Sequence, residues 1–375
     1  MFLGVVLHAA LSYLTFDAVF TPAWDQSRSG AFDIACFAIH AFRMQAFFVV
    51  AGYFAALGLE RRGVGEFLRA RGLRIALPLA VGAVTIVPLV AAQFLIAKGH
   101  PLHPLWLVAA PAHLWFLLYL LVFSLLAAVW RATVERRALG MGGVLARVAA
   151  SAWAVPVLTL PTAAINLLMP QWIIETPWAW IPSPVTLLYY GLFFSTGFAL
   201  RRSGGLARAG RAWPVLLPLA ALVALPALLV IGPGMTPGLV ARFGHLGNVP
   251  AVLVQGVFTW SMVFGLLGVL TRVCAHPRPW VRWLADASYW VYLAHLPVVY
   301  YLQRVLGDWR VPGMSIGPAE AIVKFALILG LTVAFCLLTY AALIRPTPLE
   351  RIIGGGRPRR PSALNAQGAG ITSAA

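Results

Sequence analysis

The chain has 375 residues, of which 61% are hydrophobic and only 10% are charged. This balance is too apolar for a soluble domain and is typical of a polytopic membrane protein. The formal net charge of +17 does not indicate nucleic-acid binding, because the basic residues alternate between successive loops instead of forming one patch. We therefore predict an all-α membrane protein with membrane lipid around it and no nucleic-acid partner.

About ten apolar runs approach the roughly 20 residues that a helix needs to cross a bilayer. The sequence shows no alternating strand pattern, and helices satisfy their backbone polar groups internally in lipid. We predict that these helices form one bundle. The predicted spans are residues 1–20, 31–58, 74–97, 113–132, 150–169, 184–200, 213–232, 250–271, 281–302 and 320–344.

The basic residues predict the orientation of the bundle. If the N-terminus is cytoplasmic, 21 of the 28 Lys and Arg fall on the cytoplasmic side, as the positive-inside rule requires. Both termini are then cytoplasmic. Residues 1–345 are predicted to form the membrane domain, and residues 346–375, which are rich in Arg, Gly, Pro and Ala, a disordered basic cytoplasmic tail.

The first span carries His8, the first candidate for chemistry along the chain. A neutral imidazole in a membrane cavity can take a proton from a hydroxyl substrate. The alternative is that His8 only hydrogen-bonds a neighbouring helix.

The second span holds three ionisable residues in the run DIACFAIHAFRMQAFFVVAGYF. Asp33, His40 and Arg43 are spaced seven and three apart, so they project from one side of a helix. A charge at membrane depth costs from about 2.5 to more than about 10 kcal/mol, which favours a functional cavity over the alternative of an architectural ion pair. Cys36 lies on the same face as His40, which leaves open a covalent acyl-thiol relay.

Arg71 and Arg74 lie one turn apart immediately before the third span, and we expect them at a helix start. Two interpretations compete. The pair belongs to a basic cluster against anionic lipid headgroups, or it binds the phosphates of a cytoplasmic cofactor through its guanidinium groups and the helix dipole. The sequence has no Walker-type or GxGxxG loop and no Cys/His spacing typical of a metal site, so we predict neither nucleotide hydrolysis nor a metal.

Polar residues recur in the later spans. His113 opens the fourth span among aromatic residues and is predicted to lie near the outer surface. Ser288, Tyr292 and His295 are spaced four and three apart, which predicts a polar stripe on the ninth helix facing the same cavity.

Glu320 and Lys324 are four residues apart at the start of the tenth span. Their spacing predicts a structural ion pair between the two side chains.

Four segments give the chain a family resemblance. LGVVLHAALSYL around His8, IHAFRMQAFFVVAGYF around Arg43, HLWFLLYLL at His113 and SYWVYLAHLP at His295 resemble the membrane acyltransferases of the acyltransferase 3 family, especially those that succinylate osmoregulated periplasmic glucans. The resemblance implies a ten-helix enzyme of the bacterial inner membrane. It implies succinyl-CoA or acetyl-CoA as co-substrate, no permanently bound cofactor, and a sugar hydroxyl of a periplasmic glucan or another extracytoplasmic glycan as acceptor.

The resemblance also implies catalytic residues. His8 matches the first-helix histidine of the family and is expected to be the general base. Arg43 matches the second-helix arginine and is expected to contact the oxyanion or a succinyl carboxylate. Asp33 or His40 is expected to orient neighbouring groups.

Further residues are expected to bind substrates. Arg71 and Arg74 match the R-x-x-R pattern of the family and are expected to hold the phosphates of acyl-CoA. His113, Tyr292 and His295 are expected to contact the acceptor.

The first helix departs from the family pattern. Family members usually carry an Asp and an Arg about a dozen residues before the histidine, whereas Met1 lies only seven residues before His8. We expect the first helix to be short at its cytoplasmic end. Either the start codon is assigned too late, which we favour, or the protein lacks one arginine on the cofactor side.

The residues alone leave open a proton-coupled secondary transporter, since such carriers also use intramembrane Asp, His and Arg. The sequence shows no pair of repeat halves with matching broken helices, which favours the enzyme. The acceptor also stays open between a periplasmic glucan, another surface polysaccharide, a lipid-linked sugar and a small molecule.

Overall fold

The computed structural model describes residues 1–16, 21–133, 141–276 and 278–353. Within these ranges the chain is helical and has no strand, which confirms the predicted all-α class. The α-helices are α1 (Phe2–Ala10), α2 (Gly30–Arg71), α3 (Leu77–Val84), α4 (Ile86–Ala97), α5 (Pro104–Leu107), α6 (Trp115–Thr133), α7 (Met141–Ala149), α8 (Ala154–Asn166), α9 (Pro184–Ser203), α10 (Leu206–Ala209), α11 (Trp213–Pro218), α12 (Leu225–Leu229), α13 (Thr236–Phe243), α14 (Val249–Val273), α15 (Pro279–Leu306), α16 (Pro318–Thr339) and α17 (Glu350–Ile353).

Short helical segments of other types join or extend these helices. Their 3₁₀-helical members are Leu11–Tyr13, Ala112–Leu114 and Gly244–Asn248. Their π-helical members are Gly72–Ala76, Leu219–Ala224, Val230–Met235 and Tyr340–Ile344.

Four helical stretches in the described ranges are long and apolar enough to cross a membrane. They are Gly30–Ala97, Ala112–Thr133, Trp213–Val273 and Pro318–Ile344. The helices Gly143–Ala149 and Ala154–Asn166 are bent by 118° relative to each other, and they make a fifth candidate span if they count as one broken span. By length and composition the chain is therefore a membrane protein, while the count of ten spans and the orientation of the termini stay predictions.

Two glycines bring α2 and α9 into backbone contact. A Cβ atom added to Gly52 would lie 1.9 Å from the carbonyl oxygen of Phe194, and one added to Gly197 would lie 1.8 Å from the carbonyl oxygen of Val49. Small residues at such crossings let membrane helices approach closely, where dispersion forces between the backbones favour association. The two glycines thus anchor the middle of α2 in the bundle.

Aromatic side chains fix the same region of α2. The ring of Phe48 is fully buried and its centroid lies 4.7 Å from that of Tyr190, 5.1 Å from Phe116 and 5.3 Å from Phe123. Phe116 and Phe123 on α6 meet the Phe48 ring edge-to-face, and Tyr190 on α9 meets it at a tilt. Such aromatic contacts add to the free energy gained from burial. This packing holds the adjacent turns of α2, which carry the predicted polar residues.

The predicted ion pair between Glu320 and Lys324 is wrong. Lys324 pairs instead with Asp25, and Glu320 accepts hydrogen bonds from Arg310 Nε at 2.8 Å and Ser27 Oγ at 2.5 Å. Both α16 side chains are 1% exposed. Buried charges need partners that satisfy them fully, and the loops before α2 and after α15 supply those partners better than the neighbouring turn does.

The predicted tail is only partly described. Glu350–Ile353 forms the short helix α17, whereas residues 354–375 lie outside the described residues. The basic positions Arg136 and Arg137, which entered the predicted orientation, also lie outside them. The disordered tail therefore stays a prediction.

Candidate active site

A cavity of about 1250 Å³ lies between α1, α2, α4, α15 and the segment before α9. It brings together seven of the nine predicted site residues, although they come from four separate parts of the sequence. The seven are His8, Asp33, His40, Arg43, His113, Tyr292 and His295.

One face of α1 lines this cavity along the length of the helix. Met1, Gly4, His8 and Leu11 are three or four residues apart, so they lie above one another on a helix, and all four line the cavity. His8 occupies the middle of this face. Its ring is therefore presented to the cavity by the helical repeat itself.

The His8 ring has no hydrogen-bonding partner in the described part of the chain, and its Nδ1 atom is buried. The ring centroid lies 5.4 Å from that of His295. The hydrogen bond between α15 and His8 involves the backbone and not the ring: Gln303 Nε2 donates to the carbonyl oxygen of His8 at 2.8 Å. Either tautomer of the ring is available to a ligand.

The imidazoles of His295 and His113 are each held in a defined tautomer by a backbone carbonyl. His295 Nδ1 lies 2.8 Å from the carbonyl oxygen of Tyr292, and His113 Nε2 lies 3.2 Å from that of Leu293. A carbonyl only accepts, so these nitrogens carry the hydrogen in the neutral rings. The opposite nitrogens, His295 Nε2 and His113 Nδ1, are buried, and their lone pairs have no donor among the described residues. They are therefore available to accept hydrogen bonds from a hydroxyl ligand.

His113 lies in the 3₁₀ turn before α6 with its ring inside the bundle, and its position near the outer surface of the membrane stays a prediction. Its side chain is buried, and its ring centroid lies 5.2 Å from that of His295 and 5.3 Å from that of Tyr292. The Tyr292 hydroxyl donates to the backbone carbonyl of His113 at 2.7 Å. Packing of α15 against the start of α6 therefore turns His113 into the bundle.

Ser288 does not share the environment of the other two residues in the predicted polar stripe. Its hydroxyl donates to the carbonyl of Ala285 at 2.6 Å, and it does not line the cavity. Only Tyr292 and His295 of that stripe reach the cavity.

Arg43 is a cation without a counterion. No carboxylate in the described ranges pairs with it, and its Nε atom is buried without a partner. Its Nη1 atom lies 3.2 Å from the position that a Cβ atom on Gly4 would take, so the absence of a side chain lets the guanidinium lie against α1. A desolvated guanidinium facing a cavity favours an anionic ligand or a developing negative charge.

Asp33 and His40 already have protein partners. Asp33 accepts from the backbone N–H of Thr15 at 2.9 Å and from the Thr15 hydroxyl, which ties the chain after α1 to the start of α2. His40 Nε2 donates to the carbonyl of Ile174 at 2.9 Å. These contacts shape the cavity wall, whereas His8 and Arg43 keep unpaired atoms for a ligand.

Sequence reasoning missed the segment 171–179, which lines the cavity. It includes the exposed carboxylate of Glu175 and the indole of Trp178. Asn166 Nδ2 fixes the segment by donating to the carbonyl of Trp172 at 3.0 Å. The sequence QWIIETPWAW could have indicated this segment, because it is rich in tryptophan for a connection between two spans.

Arg71 and Arg74 do not line the cavity, and they are not at a helix start. α2 continues through Gly72–Ala76 into α3, and the backbone N–H of Gly72 bonds to preceding carbonyls, so no free helix N-terminus faces them. The predicted contribution of a helix dipole is therefore wrong. Arg71 Cζ lies 4.9 Å from the centroid of the Phe67 ring. Phosphate binding by the two guanidinium groups stays a prediction.

Cys36 lines the cavity as a buried free thiol, and its Sγ lies 3.8 Å from the carbonyl oxygen of Leu7. Over the residues that the structure describes, no group of three His, Cys, Asp or Glu residues is placed to hold a metal ion. Among the described residues of the cavity, the buried polar atoms without a partner thus belong to three imidazoles and one guanidinium, groups that suit proton transfer and binding of negative charge.

Comparisons with known proteins identify the chemistry. A family model described as an acyltransferase domain matches residues 1–341. The chain is also similar to glucans biosynthesis protein C of Salmonella paratyphi B, Salmonella heidelberg and Salmonella agona, at 30% identity over 139 residues in each case. The matched part covers 33% of this chain and 34% of each relative, so the chain spans about a third of the length of these relatives. No solved structure matches the chain.

Proposed function

The chain belongs to the acyltransferase family whose model matches residues 1–341, and we propose that this membrane acyltransferase moves a succinyl or acetyl group from cytoplasmic acyl-CoA to a hydroxyl of a periplasmic glucan or another extracytoplasmic glycan. The observation that carries the proposal is the pairing, in one cavity, of an unpaired imidazole at His8 with an uncompensated guanidinium at Arg43. A base and a cation are the two groups that acyl transfer to a hydroxyl requires.

The proposed reaction uses His8 as general base. His8 takes the proton of the acceptor hydroxyl while the oxygen attacks the thioester carbonyl, and a tetrahedral oxyanion forms. The intermediate collapses with expulsion of the CoA thiolate, which takes the proton from the His8 imidazolium. Arg43 stabilises the oxyanion or binds the free carboxylate of a succinyl group.

The acceptor is proposed to lie against α15 and the start of α6. The lone pairs of His295 Nε2 and His113 Nδ1 have no donor in the part of the chain that the structure describes, so further hydroxyls of the same sugar can donate to them. A sugar offers several hydroxyls on one rigid ring. The Tyr292 ring, next to His113, forms part of the same wall.

The donor is proposed to enter from the cytoplasm, with Arg71 and Arg74 binding the CoA phosphates through their guanidinium groups. The alternation of Lys and Arg between loops supports ten spans in the bacterial inner membrane with both termini cytoplasmic. The printed name of the Salmonella relatives supports a glucan as acceptor. No observation favours the proton-coupled transporter that the residues alone left open.

The test uses purified protein in membranes with labelled succinyl-CoA or acetyl-CoA and a periplasmic glucan, and the ester product is measured by mass. We expect ester formation by the wild type and a loss of about 100- to 10,000-fold in His8→Ala, the range for a general base. His276→Ala is the matched control, because His276 is exposed and does not line the cavity. Ester formation at the wild-type rate in His8→Ala would remove His8 from the proposed mechanism.

A further inference from the structure

The α-helical part of α1 ends two residues after His8. The helix runs from Phe2 to Ala10 and continues as a 3₁₀ turn, so the carbonyl of His8 bonds to the N–H of Leu11. Carbonyls in the last turn of an α-helix lack their usual partners and need other donors. The turn that presents the proposed base is therefore held within α1 by a 3₁₀ bond, to which a donor from another helix can add a second hydrogen bond.

Gln303 on α15 supplies such donors. Its Nε2 atom donates to the carbonyl oxygen of His8 at 2.8 Å and lies 3.5 Å from that of Ala9. Both partners accept only, so they fix which end of the amide faces α1. The side chain is 2% exposed, which leaves no room for water to take its place.

The contact between Gln303 and α1 has a cost in free energy, because the other end of the amide group is left unsatisfied. Gln303 Oε1 is buried and has no hydrogen-bonding partner within the described ranges. An unsatisfied buried acceptor costs about as much free energy as a hydrogen bond gains, so Gln303 contributes little net stability. The contact is better explained by the position it gives to α1.

Helix α15 therefore holds His8 from two sides. The ring of His295 lies next to the His8 ring, with centroids 5.4 Å apart, and Gln303, eight residues further along α15, holds the His8 backbone. Gln303 does not line the cavity, so it can act on a substrate only through His8.

We propose that Gln303 is a positioning residue that fixes the His8 imidazole relative to the acceptor hydroxyl. The proposal rests on the proposed role of His8 as general base. A misplacement of about 1 Å at a reacting group costs about 100-fold in rate, and loss of the hydrogen bond that orients a metal-ligating histidine, a comparable supporting contact, typically costs about 10- to 100-fold.

The experiment compares Gln303→Met with Gln93→Met. Methionine keeps the length of the glutamine side chain but cannot donate. Gln93 on α4 is the matched control, since its Oε1 accepts from Arg304 Nε at 2.9 Å, next to Gln303 on α15, without contacting His8. We expect kcat to fall about 10- to 100-fold in Gln303→Met. The KM for acyl-CoA and the melting temperature should stay close to those of Gln93→Met, whose kcat should match the wild type.

Amide hydrogen exchange of residues 8–13 adds a measurement that needs no turnover. Exchange should be faster in Gln303→Met than in Gln93→Met, because the end of α1 loses its donor. If Gln303→Met does not fold, Gln303→Asn provides the same test, since its amide is one methylene too short to reach the His8 carbonyl.

Three results would overturn the proposal, and they are distinguishable. Equal kcat values in Gln303→Met and Gln93→Met, with His8→Ala inactive, would refute the positioning role and leave the proposed function intact. Wild-type kcat in His8→Ala would refute the base itself and the positioning role with it. If no donor is turned over, unchanged exchange at residues 8–13 would also refute the positioning role.

Discussion

Replacing Gly197 by alanine is expected to force α9 away from α2. The new Cβ atom would lie 1.8 Å from the carbonyl oxygen of Val49, whereas ordinary contact begins at 3.4 Å. The two backbones must then separate by about 1.6 Å, the difference between 3.4 and 1.8 Å. The closest atom belongs to the backbone, so no side-chain rotation can relieve the clash.

The energy of this change has two opposing parts. Alanine is about 1 kcal/mol more favourable than glycine within a helix, while overpacking typically costs about 1–3 kcal/mol and occasionally more. The separation also loosens the contact between the rings of Phe48 on α2 and Tyr190 on α9, whose centroids are 4.7 Å apart. Because the clash is with backbone, we take the overpacking cost at the upper end of its range, about 3 kcal/mol, and expect a net destabilisation of about 2 kcal/mol.

Gly191 provides the matched control on the same helix. A Cβ atom there would lie 3.4 Å from Phe123 Cε1, an ordinary contact, so Gly191→Ala should keep only the favourable helix term. Thermal or denaturant unfolding of the purified variants in detergent measures both. Gly197→Ala should unfold earlier than the wild type and Gly191→Ala no earlier. Equal stability of the two variants would refute the close approach of α2 and α9.

Three further substitutions test other parts of the structure. Arg43→Met should lower kcat about 100- to 1000-fold, as for loss of an oxyanion donor. A larger loss of kcat with succinyl-CoA than with acetyl-CoA would indicate that Arg43 binds the succinyl carboxylate, and equal losses would contradict that role. Lys324→Met leaves the buried carboxylate of Asp25 unpaired and should destabilise the protein by about 3–5 kcal/mol in an unfolding assay, so an unchanged midpoint would contradict the buried pair. Arg71→Gln should raise the KM for acyl-CoA, while Arg69→Gln, at an exposed position of the same helix, should not; equal KM values would place the CoA phosphates elsewhere.

Local spacing predicted much of the candidate site. Asp33, His40 and Arg43 line one cavity because the helical repeat alone decides which side chains share a face. The same reasoning placed Tyr292 and His295 in that cavity. The helical repeat decides which side chains share a face but not how far the cavity extends along it, and Ser288 of the same predicted stripe does not line the cavity.

Predictions from local spacing failed where other parts of the chain decide the contacts, and some of those contacts were never predicted. Glu320 bonds to Ser27, 293 residues away in sequence, in preference to the residue one turn along α16. Arg71 and Arg74 lack a free helix N-terminus because the helix breaks earlier, at Gly63, where φ is 72°. The contact between His40 and Ile174 joins residues 134 apart, and no local pattern indicates it.

The volume of the cavity has a consequence for side reactions. At about 30 Å³ per molecule, roughly 40 waters fill a space of 1250 Å³. An imidazole that can deprotonate a sugar can also deprotonate water, so a thioester waiting there is exposed to hydrolysis. In the proposed reaction, the fraction of acyl donor lost to hydrolysis then depends on how completely the bound glycan expels water from the cavity. This hydrolysis should be fastest relative to transfer when the acceptor is scarce.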